Sequence, residues 1–215
     1  LNTTTRTGKE AFRRAVMEYA NRSIGFLREM NAQGMITWDI EGQQYHHPLS
    51  YIGDPELLNR LAPEMYGLAD EYLRKLRKAG FKTGICIRPD SIIIKGNTIN
   101  RIPVKDPAAT LIRKIKYARK RWGCTLFYID SNIEPVSGQP MDYSVFNQVH
   151  ETCPDVLLIP EHERTLYYSC TAPYGEMRFG SFLVSEEIRS VYPQAFSVLL
   201  VPEGVNGKEE QNINR

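Results

Sequence analysis

A chain of 215 residues, 42% hydrophobic and 24% charged, has the size and composition of one sizeable globular domain, which excludes disorder and fibrous or collagen-like repeats. Lys and Arg number 27 against 25 Asp and Glu, so no concentrated basic surface is expected, and with it neither nucleic acid nor an anionic membrane as partner. No apolar run nears the roughly 18 residues of a membrane helix and no signal-peptide pattern opens the chain, which reads as soluble. The first residue is Leu1 rather than Met, as expected of a trimmed or processed piece of a longer product. Four cysteines without CxxC spacing indicate neither a disulfide framework nor a zinc ribbon. Cys86 and Cys124 lie in apolar runs, where cysteine acts as a small buried hydrophobe.

Helical spacing of apolar residues runs over 8–30, and Gly34 then releases a strand over 35–39. A second helix is predicted over 55–79, with an interruption at Pro63, and Gly80 ends it before the strand 81–88. The segment 91–103 alternates apolar and polar residues around Gly96 and Asn97, the pattern of a hairpin inserted in a loop. It is either a substrate lip or a decorated loop.

Asp106 caps a third helix opened by Pro107 and closed by Gly123, with Leu111, Ile112, Ile115, Ala118 and Trp122 as its buried stripe. Its basic residues Arg113, Lys114, Lys116, Arg119, Lys120 and Arg121 alternate with that stripe and are expected on a solvated outer face. The strand 124–130 follows, then a helix over 143–151, a strand over 156–159 and a further strand over 166–170. Residues 174–180 (YGEMRFG) read as a loop or turn, 185–191 as a helix and 196–201 as the last strand. Amphipathic segments alternating with short apolar runs indicate βα units around a parallel sheet, an α/β fold.

Polar residues collect where the strands end. Asp39 and Glu41, Arg88 and Asp90, Asp130 and Asn132, and Glu161 and Glu163 are each two apart, and the period of a strand sends both members to one side of the sheet. Adjacent parallel strands then converge these groups at their carboxyl ends, where open sheets and barrels both bind ligands. One such carboxylate is readily explained as a helix cap; four strands with the same pattern favour a site. Paired carboxylates suit glycoside hydrolysis, one ionised as nucleophile or base and one kept protonated as acid.

WDIEG (38–42), GFKTGICIRP (80–89), the Trp122–Gly123 pair and YIDSN (128–132) occur in the order and spacing of a known group. Through them the sequence resembles the catalytic barrel of the alpha-galactosidase-type clan of glycoside hydrolases. It resembles more closely a set of bacterial glycosidase-like proteins of uncharacterised activity that carry WDIEGQ, HP, YIGDP and IRP motifs. The resemblance covers most of 34–163 and implies a (β/α) TIM-type barrel, a carbohydrate substrate and no cofactor or metal, with a secreted or periplasmic location allowed.

It places the nucleophile at Asp130. Arg88 stands where the clan has an acid. The clan draws its general acid from a strand two beyond the nucleophile, whereas Glu161 and Glu163 end the next one; Glu176, Glu186 and Glu203 are later alternatives. The expected mechanism has Asp130 attacking the anomeric carbon while Glu161 or Glu163 protonates the leaving oxygen. Asp39, Glu41, Arg88 and Asn132 bind sugar hydroxyls, with His162 beside them, and Trp38 and Tyr174 present aromatic faces. Arg88 alternatively clamps the carboxylate or sulfate of an acidic sugar.

Two rivals stand beside this. A metal-dependent barrel hydrolase would draw on Asp39, Glu41, His46, His47, Glu161, His162 and Glu163, although no HExxH or HxH spacing is present. A non-catalytic barrel would bind carbohydrate or assemble with other chains. The whole of 1–215 is expected to form one barrel-type domain. A closed eightfold barrel takes about 250 residues, and five strands with a possible sixth fall short of it, so an incomplete barrel is predicted.

Overall fold

The computed structural model describes residues 2–41, 52–96, 98–172, 174–176, 190–191 and 196–198. The chain forms two compact units, Leu1–Glu163 and Arg164–Arg215.

The first unit is built on a four-stranded parallel sheet of β1 (Gly34–Thr37), β2 (Lys82–Ile87), β5 (Leu126–Ile129) and β6 (Leu157–Pro160), in that spatial order. Spatial order follows chain order, so each βα crossover steps the same way round. A doubly wound sheet would reverse direction at a switch point; this one winds in a single sense, as a barrel does, without closing. β2, β5 and β6 are buried nearly throughout, as parallel strands covered on both faces must be, whereas β1 at the end of the order is half-buried along its length. Gly84 lets β2 and β5 approach, since a Cβ there would lie 2.1 Å from the carbonyl oxygen of Leu126.

The helices begin and end where their sequences dictate. Thr5 accepts a hydrogen bond from Gly8 N–H to open α1 (Arg6–Glu29), Asp106 accepts from Ala109 N–H to open α5 (Pro107–Trp122), and Asp142 caps α6 (Tyr143–Thr152) through Ser144 N–H. Gly123, at φ 67°, closes α5 in the left-handed conformation. No helix among the described residues is long and apolar enough to cross a membrane.

The helix expected over 55–79 is four pieces: a 3₁₀ turn Pro55–Leu57, α2 (Leu58–Leu61), α3 (Pro63–Tyr66) and α4 (Leu68–Lys78). Pro63 has no N–H to donate and forces Ala62 out of helical geometry, to φ −138° and ψ 67°. Between β2 and α5 the antiparallel hairpin β3 (Ser91–Lys95) and β4 (Thr98–Ile102) carries Ile92, Ile94 and Ile99 onto Ile52, Leu57 and Leu61, a small satellite core.

In the second unit the strand expected over 166–170 is instead a 3₁₀ helix, Thr165–Ser169. Tyr167 and Cys170 are buried while Leu166 is 68% exposed. That spacing of three defeats the alternation a strand needs. The turn expected at 174–180 begins as β7 (Tyr174–Glu176), which pairs in parallel with β8 (Phe196–Val198). Of the helix expected over 185–191 only Ser190 and Val191, both helical, are described.

The expected solvated face of α5 needs a correction. Lys114 is completely buried, its ammonium donating to the carbonyl oxygens of Gly53 (2.9 Å), Arg88 (2.8 Å) and Asp90 (2.8 Å). Asp54 Oδ2 lies 3.7 Å away. It shares the helical stripe of Leu111, Ile115 and Ala118, positions three and four residues apart. Burial pushes its pKa down, against the pull of Asp54 and Asp90. Arg113, Arg119 and Arg121 are likewise committed, to Asp54 and Glu56, to Asp155, and to Asp70. The Gly53 carbonyl also accepts from Arg88 N–H at 3.0 Å. Gly53 has φ 65°, and a Cβ on it would lie 2.9 Å from the Arg88 backbone nitrogen, so this approach requires glycine.

Lys114→Met fills the same volume but leaves three buried carbonyls without their donor, each worth about 1–3 kcal/mol. We expect a loss of roughly 3 kcal/mol or more in urea unfolding, against less than about 0.5 kcal/mol for the exposed Lys116→Met.

Candidate active site

Register brings the site together. Ile87 pairs with Ile129 and Ile129 with Pro160, so Arg88, Asp130 and Glu161 follow at one level across three strands. The ladder continues one step to hold them there: Asp130 N–H donates to Ile87 O and Glu161 N–H to Ile129 O, each at 3.0 Å.

Side chains then link across the sheet. Arg88 Nε donates to Asp130 Oδ2 at 2.5 Å, with only 6% and 8% of the two side chains exposed. Ser131 Oγ donates to the same oxygen at 3.0 Å, and its backbone N–H donates to Glu161 Oε2 at 2.7 Å. Both donors to Asp130 fall on Oδ2; among the described residues none reaches Oδ1. His162 Nε2 lies 3.5 Å from Glu161 Oε2.

The first member of each polar pair reaches this cluster, and the second does not follow it. Asp39 and Ser131 adopt positive φ, 51° and 55°, turning the chain at the strand ends so that the period of two stops there. Asn132 is fully buried, its amide donating to His162 O at 2.9 Å and accepting from His162 N–H at 2.8 Å, a tie between two loops. Asp90 accepts from Arg101 Nε and latches the hairpin. Glu163 is exposed. The side chain of Tyr174 lies outside the described residues, as do His46 and His47. Among the described residues no group of three or more His, Cys, Asp or Glu is placed to hold a metal ion.

Asp39 and Glu41 add the protonatable groups. Burial raises the carboxyl of Asp39 from 3.8 to about 6; Arg88 opposes the shift and Asp130 adds to it, which puts all three charges within reach of one another. Glu41 is 1% exposed, and burial raises it from 4.5 to about 7. Asp39 Oδ1 and Glu41 Oε1 are buried without a hydrogen-bond partner among the described residues, an environment that favours the neutral acid. The ring of Trp38 packs on Tyr128 with centroids 4.7 Å apart, beside Asp39 in the chain.

Ser131 was outside the sequence-based set. Its signal was its place between two candidate residues at a strand end, and its role depends on a backbone conformation that sequence spacing does not reveal.

Neither a protein-family model nor a curated protein matches the chain. Among solved structures it is similar to the noncanonic maltogenic alpha-amylase AmyB from Thermotoga neapolitana, with a TM-score of 0.52 and 9% identity. The match covers 75% of this chain, which spans 44% of that one. At this identity the likeness is one of fold.

Because Asp39 and Glu41 hold their protons more tightly folded than unfolded, the stability they contribute is complete below about pH 4 and lost as pH rises through about 7. Glu41→Gln should therefore gain stability over the parent between pH 5 and 8, by on the order of 3 kcal/mol. Urea unfolding at both pH values reads this; a pH-independent difference counts against it.

Proposed function

We propose that the first unit is the catalytic part of a glycoside hydrolase with a TIM-type barrel architecture, acting on a carbohydrate. The observation that carries this reading is the contrast between two neighbouring carboxyls. Asp130 is held by a guanidinium and a hydroxyl on one oxygen, and Asp39 is raised to about 6 by burial. Titratable neighbours whose surroundings differ in this way divide naturally into ionised and protonated partners. The single-sense winding of the sheet, the strand-end position of the cluster and the fold likeness to a structure named as an amylase support it.

In this mechanism Asp130 Oδ1 attacks the anomeric carbon as the bond to the glycosidic oxygen breaks, and the proton of Asp39 passes to that oxygen. Asp39, now ionised, then takes a proton from the water that attacks the glycosyl ester, which releases Asp130. Arg88 and Ser131 hold Asp130 in place, and Trp38 offers a face for a sugar ring. The acid is thus Asp39 rather than Glu161 or Glu163; Glu161 serves by fixing the Ser131 peptide. Arg88, committed to Asp130, orients the nucleophile instead of clamping an acidic sugar.

Hydrolysis of an aryl-glycoside panel tests this. Asp130→Asn is expected to lower kcat by about 10³-fold or more, and Asp39→Asn by about 10²-fold on poor leaving groups but far less on dinitrophenyl glycosides, which need no acid. Parent activity should fall as pH rises above about 6, and Asp39→Asn should remove that limb. Unchanged turnover in Asp130→Asn overturns the mechanism. A non-catalytic carbohydrate-binding unit is the second reading, favoured by the low exposure of Arg88 and Asp130, 5% each; glycan binding without hydrolysis across the panel selects it.

A further inference from the structure

An open groove between α1 and α4, of about 400 Å³, gathers Arg28, Arg74, Lys75 and Lys78, with Glu71 as its one acid among the described residues. Ile24 and Ala79 supply its small apolar wall. Glu71 does not neutralise these cations, because both its oxygens accept from Arg13 Nη2, at 2.6 and 2.7 Å. Some cations elsewhere on the helices are matched, Arg6 with Glu10, Arg119 with Asp155 and Arg121 with Asp70; others, such as Lys116 and Lys120, stand singly, whereas these four share one groove. Among the described residues none of the four cleft cations forms an ion pair or a side-chain hydrogen bond.

Arg28, Lys75 and Lys78 stand in last turns, where a cation offsets the negative end of the helix dipole. That accounts for them singly. It does not account for Arg74 joining them around one groove, nor for the one carboxylate lining it among the described residues being taken by Arg13. Four like charges around one open groove raise the local positive potential, which favours an entering anion.

We propose that this cleft is a binding site for a small anion carrying two or more phosphate or sulfate groups. The groove is local and bounded by two helices; among the described residues no aromatic side chain lines it to stack on a base. Arg28 and Arg74 offer planar forks to tetrahedral oxyanions, and Lys75 and Lys78 add mobile point charges. Both helices precede strands of a parallel sheet, so their last turns lie towards its amino edge, away from Asp130. The site is therefore independent of the proposed hydrolysis.

Calorimetric titration of the whole chain with inorganic tripolyphosphate, and with sulfate, tests the inference. Tripolyphosphate is expected to bind at least about tenfold more tightly than sulfate, and to weaken about tenfold between roughly 50 and 200 mM salt. The double variant Arg74→Gln/Lys78→Gln should lose tenfold or more of this affinity, while Lys116→Gln/Lys120→Gln on α5 keeps it. Thermal melts of both variants establish that they fold. No heat at about 1 mM tripolyphosphate overturns the proposal, as does equal loss in both variants. Tighter binding of a heparin fragment than of tripolyphosphate would assign the surface to an anionic polymer instead and overturn it too.

Discussion

A single ammonium group organises the carboxyl end of this sheet. Lys114 reaches from α5 into the protein interior and meets three carbonyls from two loops, all within 2.9 Å. An unpaired charge in such a place would be prohibitively costly, so the three acceptors and the nearby Asp54 are conditions of its presence. Through them the turn at Gly53, the end of β2 and the root of the hairpin are tied into one hydrogen-bonded body. Arg88 belongs to that body by its own carbonyl and its own N–H, and its side chain is what holds Asp130. The geometry of the candidate nucleophile thus descends, in three steps, from a buried lysine on the outer helix.

This arrangement separates structural from reactive charge. Arg88 and Lys114 are fully engaged with protein groups, and Asp54, Asp90 and Asn132 tie loops to one another. Among the described residues, Asp39 Oδ1 and Glu41 Oε1 are buried without a hydrogen-bond partner, and neither Arg88 Nε nor Ser131 Oγ donates to Asp130 Oδ1. A preorganised frame of this kind spends no reorganisation when charge develops on a substrate.

The parallel sheet was legible in the sequence because its strands are short apolar runs bounded by Gly34, Gly80 and Gly123, and because Asp106 with Pro107 marks a helix start unambiguously. Asp39, Arg88, Asp130 and Glu161 were legible as strand-end polar residues. Lys114 was hidden by its chemistry: a lysine reads as surface unless its helical position is given precedence over its charge. The 3₁₀ helix Thr165–Ser169 was hidden because a five-residue apolar run carries too little periodicity to distinguish three from two. In the Asp39/Glu41 and Asp130/Asn132 pairs the second member misled for another reason: strand alternation cannot be extended past a residue of positive φ, and neither Asp39 nor Ser131 announces that conformation.

Ser131 carries two demands that few side chains meet together. Its left-handed backbone is tolerated by Gly, Asn and Asp, and strongly opposed by β-branched residues. Its hydroxyl on Asp130 is a group that Gly and Ala lack. Thr keeps the hydroxyl but adds the branch; Asn suits the backbone but places an amide, longer by one atom, against a carboxylate already in contact with Arg88. Sequence space around the proposed nucleophile is therefore narrow, and drift at position 131 would have to abandon either the fold of the turn or the hydroxyl.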